Sequence, residues 1–454
     1  MRYIRSALCG ALLSCITYLP AQARQGGGEG AHHHHTTPPP TSPATRHVSD
    51  TLRLADLYAA ARARNPGLRA AGATVAATRA REGAAGVPPD PMLELGAMNL
   101  SLPGLRADMA SSMAPSILAM QTIPFPGKLA LGSRIAAQET AVAEAEADER
   151  WWQLRAELAR AFYDLYQTDR ALALAAENLA LLRDLETVAR SLYAAGTGRQ
   201  ADLLRASVEV ARARAELARL EAARRSAAAR LHALVGTPVV DDVAAPALPA
   251  LPADLPPLDT LADWAEQSRP LLAGLRLRVE QATTRRSLAR RELWPDLTLG
   301  VQYGQGRYHG GTERMGSVML GFSVPVFAGR RQLKAREEAA AHEDAARAEL
   351  DGERAVLAAR LHELAATLDQ LRQLIALYQG EVLPLAEANA ASALAAYRAG
   401  TVDLLTVIEA RTGYNTYRRE LYALIAEYGA TIAALESTIG RELDATGQIF
   451  AEVE

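Results

Sequence analysis

The sequence predicts a mixed, mainly α-helical fold, with long coiled-coil helical hairpins and four β-strands per chain, built by internal duplication. Three observations predict it. Tyr193-Ala194-Ala195-Gly196-Thr197 recurs as Tyr397-Arg398-Ala399-Gly400-Thr401, 204 residues later. Residues 128–193 contain no proline and are dense in Ala, Leu, Glu and Arg, the strongest helix formers. Ahead of each long helical stretch, apolar and polar residues alternate with a period of two, the pattern of a strand with two unlike faces.

The duplication organises the rest. The 204-residue offset also carries Glu216-Leu217 onto Glu420-Leu421, Gly236 onto Gly440, and Asn65-Pro66 onto Arg269-Pro270. Ile123-Pro124 matches Val324-Pro325 at an offset of 201, so one intervening segment differs by a few residues. The repeats are residues 51–240 and 258–443, and residues 444–454 form a C-terminal tail. Between the repeats, residues 241–257 hold Pro246, Pro249, Pro252, Pro256 and Pro257, the composition of an extended linker.

The N-terminus reads as an export signal over residues 1–23. Arg2 and Arg5 make a positive start, residues 7–19 are apolar, and Ala21-Gln22-Ala23 is a small-x-small cleavage site. The alternative is a lipoprotein signal, with Leu12-Leu13-Ser14 preceding Cys15 as the lipid-carrying residue. Residues 24–50 are rich in Gly, His, Thr and Pro and read as a flexible linker. Its run of His32, His33, His34 and His35 supplies metal-ligand candidates, suited to soft divalent ions. Cys9 and Cys15 are the only two cysteines, which excludes a disulfide framework, a thiolate metal site and a cysteine nucleophile further on. The formal net charge is −3, without the basic excess that nucleic acid demands.

At about 1.5 Å per residue, the stretch 128–193 makes a rod of ~100 Å. Its apolar seam runs through Trp151, Leu154, Leu158, Ala161 and Leu165, then Leu172, Ala175, Leu179 and Leu182, with Thr168 interrupting. A return helix is predicted over 201–234. The second half repeats this with 330–397 outward and 402–439 back, and Pro384 is expected to kink the outward helix. Gly196 and Gly400 mark the hairpin tips.

Strands are predicted over about 92–102, 112–125, 296–304 and 315–325. Leu297, Leu299, Val301 and Tyr303 alternate with Thr298, Gly300, Gln302 and Gly304. Val318, Leu320, Phe322 and Val324 alternate with Met319, Gly321 and Ser323. Residues 305–313 read as a Gly-rich polar loop. Such strands fit a sheet between lipid and water, with Trp294, Phe125 and Phe327 at its helix-side ends as an aromatic belt. The competing reading is two soluble hairpins packed on a core. Met92, Met98, Met109, Met113, Met120, Met315 and Met319, all the methionines after the first residue, fall in these segments. They suit either soft-ion contact or adaptable filling. Four strands cannot close a membrane barrel, whose smallest forms have about eight, and an open edge in lipid is costly. Sister copies must therefore complete the wall.

From 51 to 443 the chain resembles the TolC-like outer-membrane efflux family. The resemblance rests on the duplication, the Tyr-x-x-Gly tips at Tyr193 and Tyr397, Pro124 and Pro325 at strand ends, and Gly127-Lys128 and Gly329-Arg330 at helix starts. It implies a homotrimer in outer-membrane lipid, with a shared 12-stranded transmembrane β-barrel and a periplasmic α-barrel made by the hairpins. The implied partners are a periplasmic adaptor (membrane fusion) protein and an inner-membrane pump of the RND type. The implied function is the passive exit duct of a tripartite efflux system. Pro384 and the second half resemble the heavy-metal cation-efflux subgroup. The alternatives are a drug-efflux or type I secretion component, or a non-channel periplasmic adaptor.

The same resemblance implies the site. Acidic residues just after the second tip narrow the tunnel entrance, which here gives Asp403 and Glu409, with Thr406 where an acid is common. Asp202 and Arg205 follow the first tip. Threefold symmetry would make each a ring of like charges that concentrates cations, with Arg199, Arg205 and Arg411 as countercharges. Tyr193, Gly196, Thr197, Tyr397, Gly400 and Thr401 are the adaptor-docking candidates. There is no Gly-rich phosphate loop, His-Glu-x-x-His or Gly-x-Ser-x-Gly, and His232, His309, His342 and His362 read as scattered solvated residues. No enzymatic activity and no cofactor are expected.

Overall fold

The computed structural model describes residues 51–98, 114–240, 243–308 and 311–443. The signal segment with Cys15, the histidine run 32–35, Met109, Met113, His309, and the tail 444–454 lie outside the described residues. So do residues 99–102 and 112–113 of the expected first strand pair.

The two repeats carry the same elements in the same order. The first runs β1 (Thr51–Leu52), α1 (Leu54–Arg64), α2 (Pro66–Ala85), β2 (Met92–Met98), β3 (Ala114–Ile123), α3 (Lys128–Ala194) and α4 (Gln200–Val235). The second runs β4 (Ala245–Pro246), α5 (Leu258–Ser268), α6 (Pro270–Arg291), β5 (Leu297–Tyr308), β6 (Gly311–Phe322), α7 (Gln332–Leu377), α8 (Leu383–Arg398) and α9 (Leu404–Ile439). Among the described residues no helix is long and apolar enough to cross a membrane.

Each repeat opens with two helices meeting at a proline, where the ring preset for a first helical turn removes one orphan donor. In the first repeat Asn65 caps that turn, its side-chain oxygen accepting from the Leu68 N–H at 3.1 Å. Its amide donates to the Leu234 carbonyl at 2.6 Å, tying the corner to α4. In the second repeat Arg269 stands where Asn65 was and caps nothing. Glu149, reaching across from α3, accepts from the Leu271 N–H at 3.2 Å instead and lies 3.7 Å from the Arg269 guanidinium. The return helices end on these corners. Gly236 and Gly440 are left-handed, at φ 79° and 68°, and a Cβ on either would press on the carbonyl of Arg64 or of Ser268. Glycine is therefore required there twice over.

The main core surrounds the middle of α3. Leu154, Leu158, Ala161 and Leu165 of the expected seam are buried, but so are Phe162, Tyr163 and Tyr166 beside it. This stretch is enclosed by α1, α4 and α9 rather than facing one partner helix. Further along, Leu174 is buried where the strict seam named Leu172. The described part of the Pro-rich segment, 243–257, is anchored to the helices. Its β4 pairs in parallel with β1, Leu251 is buried, and the Pro252 carbonyl accepts from the Tyr428 hydroxyl at 2.7 Å.

The second outward helix is interrupted before Pro384, by a π-helical turn over Tyr378–Val382. Proline has no N–H to offer the fourth carbonyl back. The wider turn absorbs that defect without ending the helix.

The four long strands form one antiparallel sheet in the order β2-β3-β5-β6. The expected loop at 305–313 is corrected. Gln305 pairs with Arg314, Gly306 with Glu313, and Arg307 with Thr312, so the β5–β6 hairpin runs on to Tyr308 and Gly311. Backbone ladder bonds need no apolar side chains, so polar, glycine-rich sequence continues the strand. At the other end β6 stops at Phe322, short of Pro325.

Register sorts the side chains by face. Leu299 faces Leu320, Val301 faces Val318, Leu297 faces Phe322 and Ile117 faces Tyr303, with Leu93 and Leu95 of β2 alongside. This face lies bare: Val318 is 76% and Leu320 61% exposed. The opposite face carries Ser116, Thr122, Thr298, Gln302 and Ser317, together with Met92, Met120, Met315 and Met319.

The sheet meets the helices at one charged joint. Asp296 accepts from the Phe125 N–H at 2.8 Å and from the Lys128 ammonium at 2.7 Å, and Phe125 stacks on Trp294 at 5.2 Å. Asp296→Ala is expected to cost about 1–3 kcal/mol, because the Phe125 N–H loses its acceptor and the Lys128 ammonium keeps only the Trp294 carbonyl, at 2.9 Å. Asp296→Asn should recover most of that loss. Chemical unfolding checks this, and equal stability of Ala and Asn variants would refute the joint.

Candidate functional site

Both helical hairpins end in one turn, built twice. Gly196 and Gly400 each sit at φ 75°. Their N–H groups donate to the Tyr193 and Tyr397 carbonyls at 3.0 and 2.9 Å. Thr197 and Thr401 each bond the carbonyl five residues back, of Leu192 and Ala396, through both N–H and hydroxyl. This closes the carbonyl ends of α3 and α8. The six residues singled out at the tips therefore have a local role before any partner arrives. Tyr193 is exposed. Tyr397 is half-buried against the small core formed by Leu179, Leu182, Leu185, Ala206, Val210, Ala393, Leu404 and Val407, which joins the two hairpins.

The residues after the tips differ between repeats. Position 199 is Arg and its counterpart 403 is Asp, 202 is Asp against Thr406, and 205 is Arg against Glu409. Asp403 is the N-cap of α9: its carboxylate accepts from the Thr406 N–H at 3.0 Å and from the Thr406 hydroxyl at 2.8 Å. Arg199, the N-cap of α4, makes no such bond. The bonds from Thr406 hold the Asp403 carboxyl below the usual range, with the Arg205 and Arg199 guanidiniums nearby adding to them. Its contribution to the tip is thus complete above the ordinary carboxylate pKa. It is lost only as pH falls through the lowered value. Burial raises the Tyr397 hydroxyl, and the Asp202 charge adds to the effect. Glu409 and Arg205 are exposed on α9 and α4.

The structure thus gathers Asp403, Thr406, Arg199 and Arg205 at one end of the paired hairpins. It corrects Arg411. That guanidinium bonds Glu177 on α3 at 2.7 Å, and Arg418 takes the other oxygen of the same carboxylate at 2.8 Å. Arg411 braces α3 against α9 and is not a countercharge for the tip acids. His232 is also corrected: it is half-buried at the end of α4, its Nδ1 2.9 Å from the Thr237 hydroxyl. His342 and His362 are exposed as expected. Among the described residues no cluster of His, Cys, Asp and Glu could hold a metal ion.

Sequence reading missed the buried carboxylates. Glu343 of α7, deeply buried, is paired with Arg286 at 3.0 Å and with Arg347, and accepts from the Thr283 hydroxyl at 3.1 Å. Its carboxyl is held below the usual range, chiefly by the Arg286 bond. Acid residues at helical spacing among arginines look alike whether solvated or buried, so only packing identifies this one.

The outer membrane efflux protein family model matches residues 57–237 and again 261–441, two matches 204 residues apart that together span most of the chain. The chain belongs to that family. The same fold is found in solved structures. OprN, described as an outer-membrane channel, matches with TM-score 0.70 at 22% identity, covering 85% of this chain and 89% of its own. CusC, described in terms of transmembrane channel formation, gives 0.72 at 18%, covering 86% and 92%. VceC, an outer membrane protein of Vibrio cholerae, gives 0.71 at 19%, covering 86% and 97%. No curated protein matches by sequence. The family comprises TolC-like outer-membrane transport channels that extend into the periplasm, and it is not an enzyme family.

Proposed function

We propose that three copies of this chain close into one outer-membrane exit duct, which passively conducts substrates delivered by a periplasmic adaptor and an inner-membrane pump of the RND type. The sheet carries this reading. Its two edge strands, β2 and β6, run in opposite directions and have no partner among the described residues. A head-to-tail ring of copies therefore pairs β6 of one with β2 of the next in antiparallel fashion, leaving no edge in lipid. The bare apolar face then meets lipid and the polar face lines the lumen. The tips face the adaptor, with Asp403 and Glu409 at the entrance. Heavy-metal cations are the substrate class we assign, on the resemblance around Pro384.

The test must separate charge from capping, because Asp403→Ala would also remove a helix cap worth about 0.5–2 kcal/mol. Asp403→Asn with Glu409→Gln keeps the cap and removes both charges. In planar bilayers this double variant is expected to form trimers with altered conductance and reduced cation preference. Unchanged conductance and selectivity would reject the gate assignment. A stable single-subunit particle that never conducts would reject the duct.

A further inference from the structure

The joint between sheet and helices is built once, while the duplication supplies the parts for two. At the built joint β3, the second strand of the first repeat, meets β5, the first strand of the second. Asp296, just ahead of β5, accepts from the Phe125 N–H and the Lys128 ammonium, just after β3. Both halves recur. Phe125-Pro126-Gly127-Lys128 returns 202 residues later as Phe327-Ala328-Gly329-Arg330, after β6, and Pro295-Asp296 stands 206 residues after Pro89-Asp90, ahead of β2. The turn is shared too: the Lys128 N–H donates to the Phe125 carbonyl and the Arg330 N–H to the Phe327 carbonyl, each at 3.0 Å. Since β6 and β2 are the two ends of the sheet, one chain holds this second set of parts at opposite edges.

The second set is left unmatched. Among the described residues the Asp90 carboxylate, the Arg330 guanidinium and the Phe327 N–H have no partner, and all three residues are exposed. Phe327 is 75% exposed, whereas Phe125 is half-buried on Trp294. Lys128 opens α3, with 13% of its side chain exposed, but residues 326–331 are a run of turns and α7 begins only at Gln332. The strands themselves agree with a second joint. Carried over by the same correspondences, the β3–β5 register sets Phe322 opposite Leu93 and Leu320 opposite Leu95. All four lie on the apolar face, where half of all registers would have set the apolar face of one edge against the polar face of the other.

We propose that Asp90 of one copy and Arg330 of the next complete this joint across the seam between chains: the Asp90 carboxylate accepts from the Arg330 guanidinium and the Phe327 N–H, as Asp296 accepts from Lys128 and Phe125 within the chain. The pairing rests on the ring of copies set out above and names the contact that ties each of its seams. Phe327 then lies against Pro88, the residue that stands where Trp294 does in the built joint. Ladder bonds alone leave two edges free to slip past one another, and an acid and a base at one end of the pair fix their register. Arginine in place of lysine suits a seam, because its planar fork meets a carboxylate in two places and an ammonium does not.

The experiment uses the full-length chain in outer membranes. Asp90→Cys and Arg330→Cys are co-expressed as separate chains, treated with a short bis-maleimide and run on a denaturing gel. The expected result is a crosslinked pair of chains in the mixed sample and none when either variant is expressed alone, since a head-to-tail ring never sets a position against its own copy. Heat-resistant trimer is then measured for Asp90→Arg, Arg330→Asp and the two combined. Each single swap sets like charges together and is expected to lower the yield roughly fivefold, and the combined swap to recover about half or more of that loss. A parent that forms trimers while the mixed sample gives no crosslinked pair, or a combined swap no better than the single ones, would overturn the joint and leave the duct standing. A parent that forms no trimer would overturn the ring and the joint together.

Discussion

Gly429→Val is expected to destabilise the chain by roughly 3 kcal/mol, at the upper end of what overpacking a filled core costs. Gly429 lies on α9 where that helix crosses the middle of α3, and the Tyr163 ring lies directly over it. A Cβ at position 429 would stand inside the van der Waals radius of three ring carbons. Tyr163 cannot swing aside: it is 2% exposed and packs edge-on against Phe162 at 5.4 Å. Glycine inside a helix normally costs up to about 1 kcal/mol relative to alanine, so this glycine is kept for clearance and not for helix formation. Gly413, sixteen residues earlier on the same helix, has nothing within 4 Å of a built Cβ. Gly413→Ala should therefore be neutral or mildly stabilising. Tyr163→Leu placed in the Gly429→Val background should recover part of the loss, giving a favourable coupling between the two sites. Thermal unfolding in detergent reads the parent, Gly413→Ala, Gly429→Val, Tyr163→Leu and the double variant. A Gly429→Val midpoint equal to the parent's would refute the claim that this crossing holds α3 and α9 in register.

Much of this architecture is written in short-range signals. The 204-residue repeat is visible because the turns at Gly196 and Gly400 need the same residues to close the same helix ends. The rod over 128–193 is visible because one unbroken helix, Lys128–Ala194, satisfies its own backbone. What stayed hidden depends on neighbours. The short helices α1, α2, α5 and α6 were not singled out. The sequence of α2 is a mixture of Ala, Arg, Gly and Thr that buries no residue, so its apolar period is faint. The seam of α3 slipped from Leu172 to Leu174 because more than one helix packs against it, α4 and α9 among them. Residues 305–313 looked like a loop because side-chain alternation stops there while the backbone ladder does not. At the tip, Asp403 followed three residues on by Thr406 is also a capping pattern. In the sequence analysis Asp403 is read only as an entrance acid, and the structure shows that it is the cap of α9. The methionine clustering was plain from composition, but the face that Met92, Met120 and Met319 share depends on register, which the sequence does not print.

Leu320→Arg is expected to impair insertion into the outer membrane by about 2–4 kcal/mol if the position lies near the midplane of the bilayer, whereas Ser317→Arg should be tolerated. The two residues are neighbours on β6, three apart, and so project to opposite faces. Leu320 faces Leu299 across the ladder, in an apolar row with Gln121 of β3 beyond it; Ser317 faces Gln302. Inside one chain both positions are exposed, so exposure cannot distinguish them and a soluble hairpin would accept arginine at either site. Only lipid makes the difference, because it withholds the water that a guanidinium on the apolar face would otherwise keep. The contrast thus tests the membrane-facing side of the sheet independently of the tips, the partners and the substrate. The measurement is the fraction of heat-resistant trimer recovered from outer-membrane fractions for each variant. A large loss for Leu320→Arg with near-parental yield for Ser317→Arg supports the apolar face as the outer wall. Equal yields would mean that the face formed by Leu93, Leu299, Val318 and Leu320 does not meet lipid, and the ring of copies would lose its reason to close.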